Sequence, residues 1–432
     1  MLNQSIVEQP PILIVGLGKS GLSALNLLLA TGISRQQIFT FDERSSQGDL
    51  RSWDQAFALK AKTVLVSPGV PLQTANMQKL LLPAGTILSS ELSLAAQFLT
   101  SEKLIGITGS VGKSTCTTLL GEAFFSAGKK FFIGGNLGTP LAEYILNIQK
   151  NGQPRAEFVA LELSSYQLEN LRGFHFFAAA ITSLLPNHLE RYSSLAEYYI
   201  TKLQLLSLTS GAVILNRNGG DLQAAFSKWS DAELIKNPIW TDRRDLSQFD
   251  DRPRLLGEHN LDNLALTFRL ALELGLPTSC RKGLYNFPGL PHRIENLGSW
   301  NNIQFINDSK ATTLESIITS LETVRELKPQ RIHLLLGGRD KKLPWFQLAN
   351  LAAATDLQFH FFGEARELIQ QQSTLSGDSH SSLHQSLDSL TTQLKSGDTV
   401  LLSPGGTSLD EFANFEERGD VFRKWVETIR CK

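Results

Sequence analysis

The chain has 432 residues, 42% of them hydrophobic and 19% charged, with 41 basic against 42 acidic side chains and a formal net charge of -1. That length exceeds what one core organises and predicts two to four domains; the balanced charge excludes a strongly basic binder of nucleic acid or anionic membrane. Three widely spaced cysteines, Cys116, Cys280 and Cys431, form neither a disulfide framework nor a zinc site, which points to inert thiols in a reducing compartment.

The N-terminal segment has no basic start followed by an apolar core, and no run is long enough to span a bilayer, so a cytoplasmic protein is expected. From there, short runs rich in Val, Ile and Phe alternate with segments of helical periodicity. That alternation predicts an α/β fold with parallel sheets wrapped by helices. The predicted strands are residues 11–15, 37–41, 63–66, 103–107, 157–163, 178–182, 211–216, 303–307, 331–336, 358–362 and 399–403. Helices are expected at 92–99 and 194–207. The Ser- and Gln-rich stretch 370–389 reads as a polar surface connection with a marginal helix at its end. Domain boundaries are expected near residue 98 and near residue 290, where Pro288, Gly289 and Pro291 interrupt the pattern.

The first strand feeds Gly16-Leu17-Gly18-Lys19-Ser20-Gly21, and Asp42 ends the next strand. This is the dinucleotide fingerprint in its proper context, with glycines that let a pyrophosphate approach the backbone at a helix N-terminus. The loop alone does not choose between NAD and a UDP-sugar. The strand at 103–107 feeds Thr108-Gly109-Ser110-Val111-Gly112-Lys113-Ser114-Thr115. Its amides would cradle the β- and γ-phosphates of a nucleotide, with Lys113 pairing to them and Ser114 or Thr115 reaching Mg²⁺. Ile107 stands where the longer phosphate-loop pattern has glycine, so the loop is a shortened variant.

Glu162 ends a hydrophobic strand in Leu161-Glu162-Leu163-Ser164-Ser165. It stands where nucleotide enzymes hold a metal, the bland rival being a solvated carboxylate. His188 follows the next strand and Lys202 lies 14 residues on; a lone histidine is more often a structural hydrogen-bonding group than a ligand. Three more clusters stand at predicted strand ends, where open α/β sheets bind ligands: Asn307-Asp308-Ser309-Lys310-Ala311-Thr312, Gly337-Gly338-Arg339-Asp340-Lys341-Lys342 and Ser403-Pro404-Gly405-Gly406-Thr407-Ser408-Leu409-Asp410.

Taken in order with Gly134-Gly135-Asn136-Leu137-Gly138, Asn187-His188-Leu189-Glu190-Arg191, Gly257-Glu258-His259-Asn260-Leu261-Asp262-Asn263 and Pro291-His292-Arg293, these motifs resemble the Mur ligase family along the whole chain. Within that family, the segments 307–312 and 408–419 look like those of the D-glutamate-adding member. The resemblance implies three domains: a Rossmann-like N-terminal domain (1–98) for a UDP-substrate, a central P-loop ATPase-like domain (99–290) and a C-terminal Rossmann-like domain (291–432) for an amino acid. It implies ATP-dependent amide formation through an acyl phosphate, in peptidoglycan precursor synthesis, by a monomer with no nucleic-acid or membrane partner.

The resemblance also assigns residues. Gly18, Lys19, Ser20, Asp42, Glu43, Arg44, Ser67, Pro68 and Gly69, with Asn136 and Ser164, would hold UDP-N-acetylmuramoyl-L-alanine. Gly109, Ser110, Gly112, Lys113, Ser114, Thr115, Asn260, Asn263, Arg293 and Asp308 would hold ATP. Ser114 and Glu162 would serve one Mg²⁺, His188 a second, and Lys202, carbamylated in this family, would supply a carboxylate-like ligand. Lys113, Glu162, His188 and Lys202 would form the catalytic set. Lys310, Thr312, Ser408, Leu409 and Phe415, with Lys341 or Lys342, would form the D-glutamate pocket. Departures from the family pattern are Val111 for Asn, Asn187 and Glu190 for two aspartates, Gly405-Gly406 for Ala-Cys, and the insertion Lys341-Lys342-Leu343-Pro344.

A dehydrogenase would explain only the first loop and a P-loop GTPase only the second. A folate polyglutamylating enzyme or another amino-acid adder of the same family would share the central domain but not the C-terminal motif. A non-catalytic nucleotide-binding protein would leave the charged candidates without work.

Overall fold

The computed structural model describes residues 7–45, 47–136, 138–187, 191–235 and 237–430. The chain divides into two compact units, Met1–Asp250 with Asp262–Leu284, and Asp251–Leu261 with Tyr285–Lys432.

The first unit holds two parallel sheets. One comprises β1 (Ile12–Val15), β2 (Ile38–Phe41), β3 (Thr63–Val66) and β4 (Ile87–Ser89), in the order β2-β1-β3-β4. The other comprises β5 (Lys103–Thr108), β6 (Phe131–Gly135), β7 (Phe158–Glu162), β8 (Phe176–Ile181), β9 (Thr209–Asn216) and β10 (Ile239–Thr241), in the order β10-β9-β8-β5-β7-β6. All four residues of β1 are buried, as in strands covered on both faces. Ile12 and Ile14 face a core that runs without a break through Leu27, Leu28 and Leu94 to Leu141, Ile145, Val159 and Leu161. The two sheets are therefore cemented by one hydrophobic core, which is why the first 250 residues form a single unit. Leu13 and Val15 face a second, smaller core with Val64, Val66 and Met77.

The second unit holds β11 (Glu295–Trp300), β12 (Ile303–Asn307), β13 (Arg331–Gly337), β14 (Leu357–Phe362), β15 (Gly377–His380) and β16 (Asp398–Gly405), in the order β11-β12-β16-β13-β14-β15. Only β11 is antiparallel to its neighbour. Alternate residues face opposite ways. Leu334, Leu336, Phe361 and Leu401 enter one core, and Leu335, Phe362, Val400 and Leu402 enter the other.

The stretch 370–389 is a correction to the sequence reading. The helix expected at its end is there, as most of Leu383–Thr391, but the rest is not a polar connection: it is the end of the helix Arg366–Ser373 and the strand β15. Its few apolar residues carry the packing: Leu375 fills one core, and Leu383 and Leu387, on one helical face with Leu390 just beyond, fill the other. His384, Gln385 and Asp388 between them are exposed and hide that stripe, although Ser386 is buried with it. No helix among the described residues is long and apolar enough to cross a membrane.

Candidate functional site

In the first sheet the chain runs from β1 to β2 on one side and then to β3 on the other, so β1 and β3 flank a switch point. Ligands bind at such points, beyond the carboxyl ends of the strands. Gly16 has φ +91, and a Cβ there would meet the Cβ of Ser67 at 2.9 Å. Its carbonyl accepts a hydrogen bond from Ser67 Oγ at 2.8 Å. Asp42 holds the same turn from β2: Oδ2 accepts from Leu17 N at 2.7 Å, and Oδ1 accepts from Arg44 N and Ser45 N at 2.9 and 3.1 Å. These backbone donors, Leu17 first, hold its carboxyl below the usual aspartate range.

Above the turn lies a cavity of about 430 Å³, within the size range of small-ligand sites. Gly18, Lys19, Ser20, Asp42, Glu43, Arg44, Ser67, Pro68 and Gly69, all singled out from the sequence, line it together. So do Gly135, Asn136, Gly138 and Gln167 from the central sheet. Asn136 also reaches beyond the cavity, its Nδ2 donating to Glu162 Oε1 at 2.7 Å. Ser164 caps the short helix Ser165–Leu168 in a capping box with Gln167.

The phosphate loop sits at the second switch point, between β5 and β8. Gly112 has φ +86 and begins the helix Lys113–Ser126. A Cβ there would lie 2.5 Å from Asn263 Oδ1, so only glycine lets the Asn263 amide pack over the loop. Val111 uses its backbone alone: its N–H donates to Ser183 Oγ at 3.0 Å and its carbonyl accepts from Thr182 Oγ1. Its side chain is 57% exposed, which explains how the loop keeps its shape with valine in place of asparagine. Ser110 Oγ is shared by Leu185 and Tyr198.

Lys113 Nζ donates to the carbonyls of Gly109 and Ser110 at 2.8 and 3.0 Å. Lys202 Nζ, only 1% exposed, donates to the same Gly109 carbonyl at 2.9 Å. Burial, helped by the neighbouring Lys113 charge and opposed by Glu162, lowers the Lys202 amine to about 6. Glu162 is 2% exposed, and while Oε1 accepts from Asn136, no group among the described residues hydrogen-bonds to Oε2. Buried carboxylate oxygens are almost always satisfied, so this one fits a cation delivered with a ligand. No three His, Cys, Asp or Glu side chains among the described residues are grouped to hold a metal by themselves; His188 lies outside the described residues. Ser114 is buried at the same loop, and Thr115 is half-buried. Cys116 and Cys280 are buried and unbridged, while Cys431 lies outside the described residues.

In the second unit, Asp308 follows β12 and is 5% exposed. Its Oδ1 accepts from Ile294 N at 3.1 Å, and its Oδ2 accepts from Ser320 Oγ and Ser403 Oγ. Burial pushes this carboxyl up to about 7. Lys310 lies 3.8 Å from the centre of the Phe415 ring, a cation–π contact that brings two predicted pocket residues together. Ser408 is buried and its carbonyl accepts from Glu411 N and Phe412 N. Thr312 is half-buried, whereas Arg293, Leu409, Lys341 and Lys342 are exposed. Asp340 folds the inserted segment back by accepting from Lys342 N, Leu343 N and Trp345 Nε1. Asn260 is buried, its amide donating to Leu256 O at 2.7 Å.

Three family models match the chain in succession: the Mur ligase MurD-like N-terminal domain over residues 10–87, the Mur ligase middle domain over 107–271, and the Mur ligase glutamate ligase domain over 292–406. A UDP-N-acetylmuramoylalanine–D-glutamate ligase of Haemophilus influenzae is 33% identical across 97% of this chain and 98% of its own length. The chain belongs to the Mur ligase family. A protein of the same name from Myxococcus xanthus is 30% identical over the same shares of the two chains. Among solved structures, the Thermotoga maritima UDP-N-acetylmuramate–alanine ligase shares 15% identity at a TM-score of 0.56, over 97% of this chain and all of that one. The MurF ligase of T. maritima in complex with ADP gives 16% and 0.55, over 87% and 91%. These last two establish the three-part α/β fold of the Mur ligases.

Sequence reasoning missed several residues of this site. Thr182 and Ser183 shape the phosphate loop from the end of β8, and Gln167 lines the cavity above the Gly16 turn. Their signal lay in proximity to other strands, which no local pattern records.

Proposed function

We propose that this Mur ligase joins D-glutamate to UDP-N-acetylmuramoyl-L-alanine, converting ATP to ADP and phosphate, in peptidoglycan precursor synthesis. The carrying observation is Asn136, which lines the nucleotide cavity on one side and holds Glu162, beside the phosphate loop, on the other. A UDP-substrate seated in that cavity would extend its acyl end toward a buried carboxylate whose Oε2 has no hydrogen-bond partner among the described residues. The names of the full-length relatives supply the substrates.

In this reading the three segments 1–98, 99–290 and 291–432 serve the UDP-substrate, ATP and the amino acid, in a cytoplasmic monomer. The diphosphate rests on the amides of the Gly16–Gly21 turn. Lys113 exchanges its two loop carbonyls for the ATP phosphates; Ser114 and Glu162 would hold one Mg²⁺ and His188 a second. Bound there, Mg²⁺ supplies positive charge beside the transferring phosphoryl group. Asn260, Asn263 and Arg293 bind the rest of the nucleotide, and Asp308 braces that segment through Ile294. The Lys202 amine, largely unprotonated at neutral pH, adds through nitrogen to CO₂ and loses a proton, which leaves a carbamate as a further metal ligand. Lys310, Thr312, Ser408, Leu409, Phe415 and one of Lys341 and Lys342 receive D-glutamate.

The alanyl carboxylate attacks the γ-phosphorus, the bond to ADP breaks, and an acyl phosphate forms. The deprotonated D-glutamate amine attacks the acyl carbon and the tetrahedral adduct expels phosphate. Phosphate release, measured with ATP, Mg²⁺ and UDP-N-acetylmuramoyl-L-alanine against single amino acids, tests the reading. Release with D-glutamate alone is expected; release with a different amino acid refutes the acceptor. Calorimetric titration with UDP and with NAD tests the first cavity, and NAD binding without a response to the UDP-substrate refutes that assignment.

A further inference from the structure

Arg418 has no role in the scheme above, yet it is 0% exposed and among the largest fully buried side chains. Its guanidinium meets no carboxylate within ion-pair distance among the described residues. Nε donates to Ser309 Oγ at 3.1 Å, Nη2 to Ser309 O at 2.8 Å, and both Nη1 and Nη2 to Gly406 O at 3.2 Å. Ser309 immediately precedes Lys310, and its Oγ in turn donates to Phe415 O at 2.8 Å. Gly406 stands two residues before Ser408, and Gly406 N donates to Gly337 O at 3.1 Å. One fork therefore ties the loop after β12 to the loop after β16, and through the latter to the end of β13.

A buried cation is costly unless it is paired. The carboxylates nearest in charge, Asp410 and Glu411, act on it through space and not by contact: Asp410 accepts from Glu364 N at 3.1 Å, and Glu411 from Leu383 N at 3.0 Å. A hydrophobic residue would fill the space without that cost but could not hold three carbonyl and hydroxyl oxygens in a plane. The positive charge sits behind the loops that carry Lys310, Ser408 and Phe415.

We infer that Arg418 is a positioning and specificity residue of the amino-acid pocket: it fixes the spacing of the Lys310 and Ser408 loops and biases the pocket toward an acidic amino acid. The inference rests on the D-glutamate reading of that pocket. It does not require Arg418 to touch the substrate. The fork sets geometry and the charge sets preference, so the two contributions separate by substitution.

The test compares the full chain with Arg418→Met and Arg418→Lys, each checked for folding by thermal melting. kcat and KM are measured for ATP, D-glutamate and its neutral amide D-glutamine. Arg418→Met is expected to lower the preference for D-glutamate over D-glutamine on the order of tenfold, as loss of a unit charge acting across several ångströms implies. KM for ATP should stay within about twofold. Arg418→Lys keeps the charge and loses the fork, so it should weaken both amino acids while retaining most of the preference. Equal loss toward both amino acids in Arg418→Met, or an equal rise in KM for ATP, overturns the inference. If Arg418→Met does not fold, Ser309→Ala and Arg418→Lys decide the matter: both must raise the amino-acid KM with that for ATP unchanged, and unaltered amino-acid constants overturn it. A wild-type chain that takes a different acidic amino acid refutes the D-glutamate reading but leaves the ratio test intact with that acid and its amide. A chain that takes a neutral amino acid overturns both.

Discussion

Glu162 and Asp308 look alike in sequence, each an acid released at the end of an apolar strand, and both are buried. Their surroundings differ. Asp308 has both oxygens occupied by its own fold, by Ile294 N on one side and two serine hydroxyls on the other. Glu162 has one oxygen held by Asn136 and the other without a hydrogen-bond partner among the described residues. We propose that Asp308, with both oxygens satisfied, acts chiefly as a brace for its segment, and that Glu162, beside a phosphate loop and a buried lysine, takes a ligand. The family resemblance assigned both to ATP chemistry. Their hydrogen-bond partners differ, and that difference carries the proposal.

The sharpest way to break that distinction is Glu162→Gln, which keeps the Asn136 contact through its amide oxygen but removes the charge. kcat should fall by about 10²–10³-fold or more, as when a group aligned to the transition state is lost. A steady-state rate within tenfold of wild type would remove Glu162 from metal binding. Lys202→Ala comes next, with an expected loss of roughly a hundredfold, partly restored by acetate at high concentration in the role of the missing carbamate. Ordinary turnover by this variant would return Lys202 to a packing role.

Smaller effects are expected in the second unit. Lys310→Ala and Ser408→Ala should each raise KM for D-glutamate about tenfold to a hundredfold, the equivalent of a charge-assisted hydrogen bond of about 1.5–3 kcal/mol, with KM for ATP little changed. Varying each substrate in turn checks this, and the opposite pattern would misplace the pocket.

Asp308→Asn is expected to cost activity least and to report instead on stability. The folded carboxyl titrates at about 7 against an ordinary 3.8, so the folded state binds more protons over that interval. The stability this proton provides is full below pH 3.8 and is lost as pH rises through 7. Relative to wild type, Asp308→Asn should therefore become more favourable between pH 5 and pH 8, by a few kcal/mol at most. Parallel denaturant melts at the two pH values measure it; a difference independent of pH would contradict the burial argument.

Much of the fold is legible in the sequence because buried parallel strands are near-continuous apolar runs. The strands that escape it, β4, β6, β10, β11 and β15, all lie at sheet edges. An edge strand has one neighbour and wet faces, so its residues, such as Gly377-Asp378-Ser379-His380, need not be apolar. The first cavity and phosphate loop were legible for a different reason: glycine spacing records backbone geometry locally. Asn263 over Gly112, Thr182 beneath Val111 and Arg418 behind Ser309 are tertiary placements, and only the folded chain reveals their partners.

The claim that this chain activates a carboxylate by phosphorylating it is tested most directly with UDP-N-acetylmuramoyl-L-alanine labelled with ¹⁸O in the alanyl carboxyl group. Turnover with ATP and D-glutamate should deliver one labelled oxygen from each amide formed into the released phosphate, read by mass spectrometry. Unlabelled phosphate accompanying full amide formation would contradict an acyl phosphate route.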